Sequence, residues 1–217
     1  MENKKIILIT HEYPPKRGGA GRYCEELVHA SNQLGYSIES WVPQYANLSK
    51  NNPSFLPCLG KTQSWSSSYR LFRQLKKNLI NFAPNTLLHF AEPGSLRAMI
   101  RFGWFFKSLP TMIVTIHGTE LIRFSRNPIE KALFKSFLKK ADRIHVLSKF
   151  NQNQILKMFP GMKTRIMVFP AAAARNLSGS PSIKKENGNQ NVKILCVARI
   201  HPRKGQDRLI EALNKLQ

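Results

Sequence analysis

Four short stretches carry residue types and spacings that could do chemistry. HEYPPKRGGAGRY (11–23) places His11, two prolines, two cations, the Gly18-Gly19 pair and Arg22 directly after an apolar run. LLHFAEPGS (87–95) brings His89 and Glu92 to the end of another apolar run, and TIHGTEL (115–121) does the same with His117 and Glu120. VARIHPRKGQDRLIEAL (197–213) places Arg199 and Lys204 in a loop before an amphipathic stretch. Glycines after a parallel strand admit close approach of a ligand to backbone, and N–H groups at a following helix start favour an anion. A histidine at a strand end can donate to a hydroxyl or move a proton. A guanidinium and an ammonium together can neutralise a diphosphate. Each stretch also has a plain structural reading: a flexible glycine connection, a satisfied core histidine, a solvated basic loop.

Two familiar phosphate motifs are excluded. The dinucleotide fingerprint G-x-G-x-x-G needs a tight turn and a third glycine, whereas Gly19-x-Gly21 is followed by Arg22, Tyr23 and Cys24. A P-loop needs a Gly-Lys-Ser/Thr end that is absent here. Cys24, Cys58 and Cys196 form an odd set without a CxxC pair, which fits a reducing compartment and neither a disulfide framework nor a zinc site.

The elements that must position these residues alternate. Period-2 and short apolar runs predict strands at 5–10, 37–42, 86–90, 111–116, 143–147 and 165–169. Helical spacing predicts helices at 21–34, 68–82, 95–107, 128–140 and 149–159, with a long loop over 44–63. Repeated β-α units of this kind predict an α/β fold with a doubly wound, Rossmann-like parallel sheet over residues 1–170. Residues 171–191 read as a Ser-, Asn- and Gly-rich linker. Residues 192–217 read as the first strand and helix of a second Rossmann-like domain, cut short after one β-α unit that cannot bury its own apolar face.

The combination resembles the retaining, GT-B-type glycosyltransferases of family four. HEYPPKRGGAGRY is similar to that family's N-terminal loop, and VKILCVARIHPRKGQDRLIEAL to the opening of its donor-binding domain; ADRIHVLS and VFP stand between them in the family's order. The resemblance implies hexose transfer from a nucleotide-diphosphate sugar to an acceptor hydroxyl, with retention and without a required metal or other cofactor. It implies that His117, Arg199 and Lys204 act at the reaction centre. Gly18, Gly19, Glu120 and Ser148 would serve the donor, and His11, Arg22, His89 and Glu92 stand as acceptor-side candidates. The family's acidic pair in the second domain has no counterpart here, and Pro170-Ala171-Ala172 replaces its usual P-N-G. The expectation is therefore a truncated chain without measurable transferase activity by itself, which a separately encoded C-terminal half could complete.

The charge balance points to polyanions. There are 34 Lys and Arg against 12 Asp and Glu in 217 residues, a net charge of +22. Basic residues gather at 70–77, 97–107 and 123–140, and RFGWFFKS sets Trp104, Phe105 and Phe106 between Arg101 and Lys107. Basic and aromatic side chains together suit an anionic membrane surface, but Trp104, Phe105 and Phe106 read first as core. It is the basic excess that points to peripheral membrane contact, in keeping with a lipid-linked or saccharide acceptor in polysaccharide, lipopolysaccharide or glycolipid synthesis. The N-terminus lacks the apolar core of a signal peptide, and no apolar run approaches the roughly 20 residues that span a bilayer. The expected location is cytoplasmic, peripheral to the inner face of the membrane. A non-catalytic remnant or partner subunit is one alternative, and a nucleic-acid-binding α/β module is the other, which the charge permits. No helix-turn-helix, RRM, KH or zinc spacing supports it, so nucleic acid is not the expected partner.

Overall fold

The computed structural model describes residues 5–15, 18–44, 54–60, 64–171, 194–198 and 200–215. The chain divides into two compact units, Met1–Arg175 and Asn176–Gln217.

The first unit is a seven-stranded, wholly parallel sheet. Its strands are β1 (Lys5–Ile9), β2 (Ser37–Pro43), β3 (Phe55–Leu59), β4 (Leu87–Phe90), β5 (Thr111–Ile116), β6 (Arg143–Val146) and β7 (Ile166–Val168), in the order β3-β2-β1-β4-β5-β6-β7. Its helices are α1 (Gly19–Gln33), α2 (Trp65–Asn78), α3 (Pro93–Phe102), α4 (Thr119–Phe124), α5 (Pro128–Lys140) and α6 (Lys149–Met158). The chain leaves β1 in one direction for β2 and β3, then returns to the other side for β4 to β7. Carboxyl ends of strands at such a reversal flank the usual ligand crevice.

The predicted doubly wound parallel sheet is the observed one. Alternate residues of each strand feed two cores of unequal size. Ile7, Ile9, Leu88, Phe90, Val114, Ile116, Ile144 and Val146 face the larger core with Leu71, Leu75, Leu96, Phe134 and Phe137. Leu8 and Ile38 face the smaller one, shared with Cys24 and Val28 of α1.

The ends of elements follow their capping chemistry. Ser64 Oγ accepts from Ser67 N at 3.2 Å, which starts α2 at Trp65, three residues before the predicted start at 68. Asn127 caps α5 with Pro128 at its first position, and Gly35, at φ 76°, follows the end of α1. Two elements depart from expectation inside the first unit. The loop predicted over 44–63 contains β3, which pairs with β2 through Ser40–Phe55 and Trp41–Leu56. Pro57 argues against a central strand but is tolerated at the sheet edge, where β3 lies. The six-residue α4 is too short to show a helical period.

In the second unit α7 (Gln206–Asn214) forms after Gly205, at φ 70°. The strand expected over 192–200 does not: residues 194–198 have no strand structure, and Ile194, Leu195 and Val197 are exposed. A strand exists through its ladder, and the described residues of this unit contain no second strand. Ile210, expected to face inward, is exposed as well.

Candidate active site

The carboxyl ends of β1, β4, β5 and β6 carry the residues singled out from the sequence. After β1, Thr10 Oγ1 donates to the Glu12 carbonyl at 2.7 Å and accepts from Glu12 N at 3.1 Å, which folds the start of the glycine-rich loop. His11 N donates to Glu92 Oε1 at 2.9 Å, and His11 Nδ1 lies 3.2 Å from the same oxygen. Glu92 also accepts from Gly94 N and Ser95 N, both at 2.6 Å, closing a capping box at the start of α3. Both residues are buried. Burial acts to raise the Glu92 pKa, but hydrogen bonds and charge from His11, with that from Gly94, outweigh it and hold the carboxyl below its ordinary value. His11 and Glu92, expected on the acceptor side, therefore form an internal clamp between two loops.

The glycines divide their work differently from the sequence reading. Gly18 precedes α1 in extended backbone that any residue adopts, and a Cβ on Gly19 would meet open space. A close approach to backbone is at Gly21, where a Cβ would lie 3.3 Å from the Glu12 carbonyl carbon and oxygen. A Cβ on Gly18 would lie 2.9 Å from Glu12 Oε2, which sets that carboxylate beside the start of α1. No acidic residue sits in the first turn of α1 itself. Arg22 is exposed and paired with Glu25 at 2.5 Å and Glu26 at 2.8 Å. Lys16 and Arg17 lie outside the described residues.

His117 stands on a constrained turn after β5. Gly118 has φ 117°, a region that favours glycine, and a Cβ there would lie 2.8 Å from Asn151 Oδ1. Glu120 is fully buried beneath this turn; its carboxylate accepts from His117 N at 3.1 Å and Gly118 N at 2.8 Å. Glu120 thus shapes the turn from below, while His117 is only partly buried. His117 Nε2 donates to the Ala91 carbonyl at 2.9 Å, which leaves Nδ1 as the other exchangeable position. Its ring meets Tyr23 of α1 edge to face, 5.3 Å between centroids. Ser148 caps α6 by accepting from Asn151 N at 3.2 Å, and so holds the residue packed against Gly118. Gly118→Ala is expected to destabilise the unit by about 1–3 kcal/mol, from a strained φ and the Asn151 contact together, read as a lowered urea midpoint.

On the α1 side of the sheet the strands carry a polar row that the sequence reading caught only at His89. His145 Nε2 donates to the Phe169 carbonyl at 2.9 Å, so its Nδ1 accepts from the Thr115 hydroxyl at 3.2 Å and faces the Tyr23 hydroxyl at 3.3 Å. Thr115 Oγ1 in turn lies 2.7 Å from His89 Nε2. Burial, with His145 and His117 nearby, lowers the His89 pKa to about 3; burial also lowers that of His145. His89, His145 and Tyr23 line a groove of about 610 Å³ together with Ile113, Met167 and Phe169. The available signal for His145 was its phase: it alternates with Ile144 and Val146 in β6 and so had to face the other side.

Lys204 belongs to the second unit, exposed in a single 3-10 turn before α7, its N–H bonded to the His201 carbonyl at 2.8 Å. Arg199 lies outside the described residues. Among the described residues no cluster of His, Cys, Asp and Glu could hold a metal ion. None of their helices is long and apolar enough to cross a membrane.

Residues 17–172 match Glycosyltransferase Family 4. The chain is 23% identical over 246 aligned positions to a GDP-mannose-dependent alpha-(1-6)-phosphatidylinositol monomannoside mannosyltransferase of Mycolicibacterium smegmatis, covering 98% of this chain and 57% of that protein. It is 24% identical to an uncharacterized glycosyltransferase of Methanocaldococcus jannaschii, covering 98% of this chain and 59% of the relative. A solved alpha-glucosyltransferase in complex with UDP and a 13-mer DNA containing an HMU base superposes with a TM-score of 0.44 at 12% identity, covering 77% of this chain and 42% of the other. The chain thus spans less than two thirds of the length of these curated relatives. The family match takes in the sheet from α1 to β7 and the His117 turn, and by it this chain belongs to glycosyltransferase family 4.

Proposed function

We propose that the first unit is the acceptor-side half of a retaining hexosyltransferase that uses a nucleotide-diphosphate sugar without a metal ion. In this reading the second unit belongs to the donor-binding half, and Arg199 and Lys204 would stabilise the departing diphosphate, a role that the family resemblance alone suggests. One observation carries the reading: at the carboxyl edge of the sheet, next to the chain reversal, a partly exposed His117 is built onto a glycine-dependent turn in contact with α1. Its Nε2 is tied to the Ala91 carbonyl, so the ring is oriented and its other edge is left for a sugar hydroxyl. The start of α1 would supply N–H groups for diphosphate oxygens.

The donor to assay first is GDP-mannose, which the mycobacterial relatives carry in their names, and the acceptor a lipid-linked glycoside such as a phosphatidylinositol mannoside. Such an acceptor places the protein in the cytoplasm at the inner face of the membrane. Because the chain spans little more than half of those relatives, binding by the 217-residue chain is the direct test and turnover by it is not expected. Calorimetric titration with GDP-mannose, UDP-glucose and a soluble mannoside acceptor should show saturable binding of at least one. His117→Ala should weaken that binding by about tenfold, the worth of one hydrogen bond near a charged group, with unchanged circular dichroism. No saturable binding of any of the three would overturn the reading.

A further inference from the structure

We propose that α2 and the aromatic turn after α3 form one face that docks on an anionic lipid bilayer. The proposal extends the lipid-acceptor reading above, and rests on that reading for its purpose, though its chemistry lies in this face alone. α2 buries Leu71 and Leu75 completely and turns Arg70, Arg73, Lys76 and Lys77 outward. There is no acidic residue in the helix, and among the described residues none of the four cations has a carboxylate partner. Together with Gln74 they line a concave region of about 510 Å³.

Beside them stands an unusual amount of exposed aromatic surface. Trp65, Tyr69, Trp104 and Phe105 keep 65%, 51%, 60% and 54% of their surface in solvent. They are not loose. Phe72 stacks on Phe102 at 5.3 Å and meets Phe105 at 5.4 Å, which joins α2 to the turn Gly103–Phe105. The Arg101 guanidinium sits 4.0 Å over the Trp65 ring, and Trp104 stacks on Phe105 at 3.8 Å. Lys140 Nζ, reaching from α5, donates to the carbonyls of Gly103 at 3.1 Å and Phe106 at 3.0 Å and pins the turn. Ile80, just past α2, is 94% exposed.

Rigid rings with a polar edge and an apolar body suit the boundary between headgroups and acyl chains. The unpaired cations suit anionic headgroups, each adding attraction that salt screens. On this face four cations lie on α2, and the exposed aromatics lie on α2 and the turn after α3, with Arg101 seated over Trp65.

The test mixes the purified chain, without nucleotide sugar, with vesicles of phosphatidylcholine alone or with about 30% phosphatidylglycerol, at low and high salt. Sedimentation should show binding to the anionic vesicles that falls steeply as salt rises. Brominated lipid should quench tryptophan fluorescence, through Trp65 and Trp104. A charge variant, R70Q/R73Q/K76Q/K77Q, should lose on the order of 1000-fold in partitioning at low salt. An aromatic variant, W104S/F105S, should keep salt-sensitive adsorption but lose the share of the quenching that comes from Trp104. All six positions are at least partly exposed, and circular dichroism confirms that each variant folds. Equal binding to neutral and anionic vesicles, or none to either, would overturn the proposal. So would tight binding of random RNA or DNA that the aromatic variant abolishes, since the face would then be a base-stacking platform. Vesicle binding without sugar-ligand binding would defeat the transferase reading alone, and the converse would defeat the docking face alone.

Discussion

Glu92→Ala is expected to lower the stability of the first unit by about 3–5 kcal/mol, because it removes a buried acceptor on which three backbone N–H groups depend. The carboxylate is wholly buried and holds three backbone N–H groups, those of His11, Gly94 and Ser95, beside the His11 ring. Truncation leaves those donors without an acceptor, and each buried orphan costs roughly 1–3 kcal/mol unless water enters. It also removes the cap of α3, worth about 1 kcal/mol. The melting temperature should fall by about 10 °C for a unit of this size. Glu92→Gln should cost less, because the amide oxygen can still cap α3 while its NH₂ meets donors rather than acceptors. The pH dependence has a definite sign. The folded pKa of Glu92 lies below its unfolded value, so its contribution is complete above the unfolded pKa and is lost as pH falls through the folded one. Denaturant titrations of the wild type and both variants at pH 7 and pH 4 would measure this. A wild type and Glu92→Ala of equal stability at pH 7 would mean that the clamp contributes nothing.

The second large effect is acid sensitivity through His89. Its folded pKa of about 3 lies below the ordinary 6.5 because the ring is enclosed and faces other histidines. For a base with a depressed pKa the neutral form is the folded one. Stability is therefore complete above about pH 6.5 and falls as the unfolded chain takes up a proton that the folded chain refuses. Between pH 6.5 and pH 4 the unfolding free energy should drop by about 1.4 kcal/mol per pH unit from His89 alone. His145, shifted the same way, steepens the slope. His89→Gln keeps a donor for Thr115 and has nothing to titrate in this range. Its stability should vary distinctly less between pH 6.5 and pH 4.5 in urea titrations. An unchanged slope would show that His89 takes up its proton in the folded protein.

The sensitivity links fold to site. The row His89, Thr115, His145 and Tyr23 lies directly under His117 through the Tyr23 ring. Protonating the row would disturb α1, whose start also supplies the N–H groups proposed for the donor diphosphate. Loss of ligand binding is thus expected to precede global unfolding as pH is lowered.

How much could be read from the residues depended on the range of the physics involved. Strand and helix periods are local, so the order of β1, β2 and β4 to β7 and the α/β class followed from apolar alternation, and the family resemblance from four short stretches. Caps are local too: Pro128 and Gly35 marked α5 and α1 correctly. Failures came where a long-range partner decided the outcome. β3 exists because an edge position accepts Pro57. Residues 194–198 form no strand because, among the described residues of their unit, no ladder partner is present. The chemistry divides the same way. The sequence by itself determined which residue types stand at strand ends, that His117 precedes a glycine, and that the chain carries a large positive charge. Only the tertiary structure decided which of those groups face inward. Glu92 and Glu120 are drawn into the interior by the backbone N–H groups they satisfy, and His11 is held there by its bonds to Glu92, since a buried donor must find an acceptor somewhere in the fold. His117 keeps an open edge because Glu120 and Ala91 hold it from below. That division rests on through-space pairing across neighbouring loops, which no local pattern encodes.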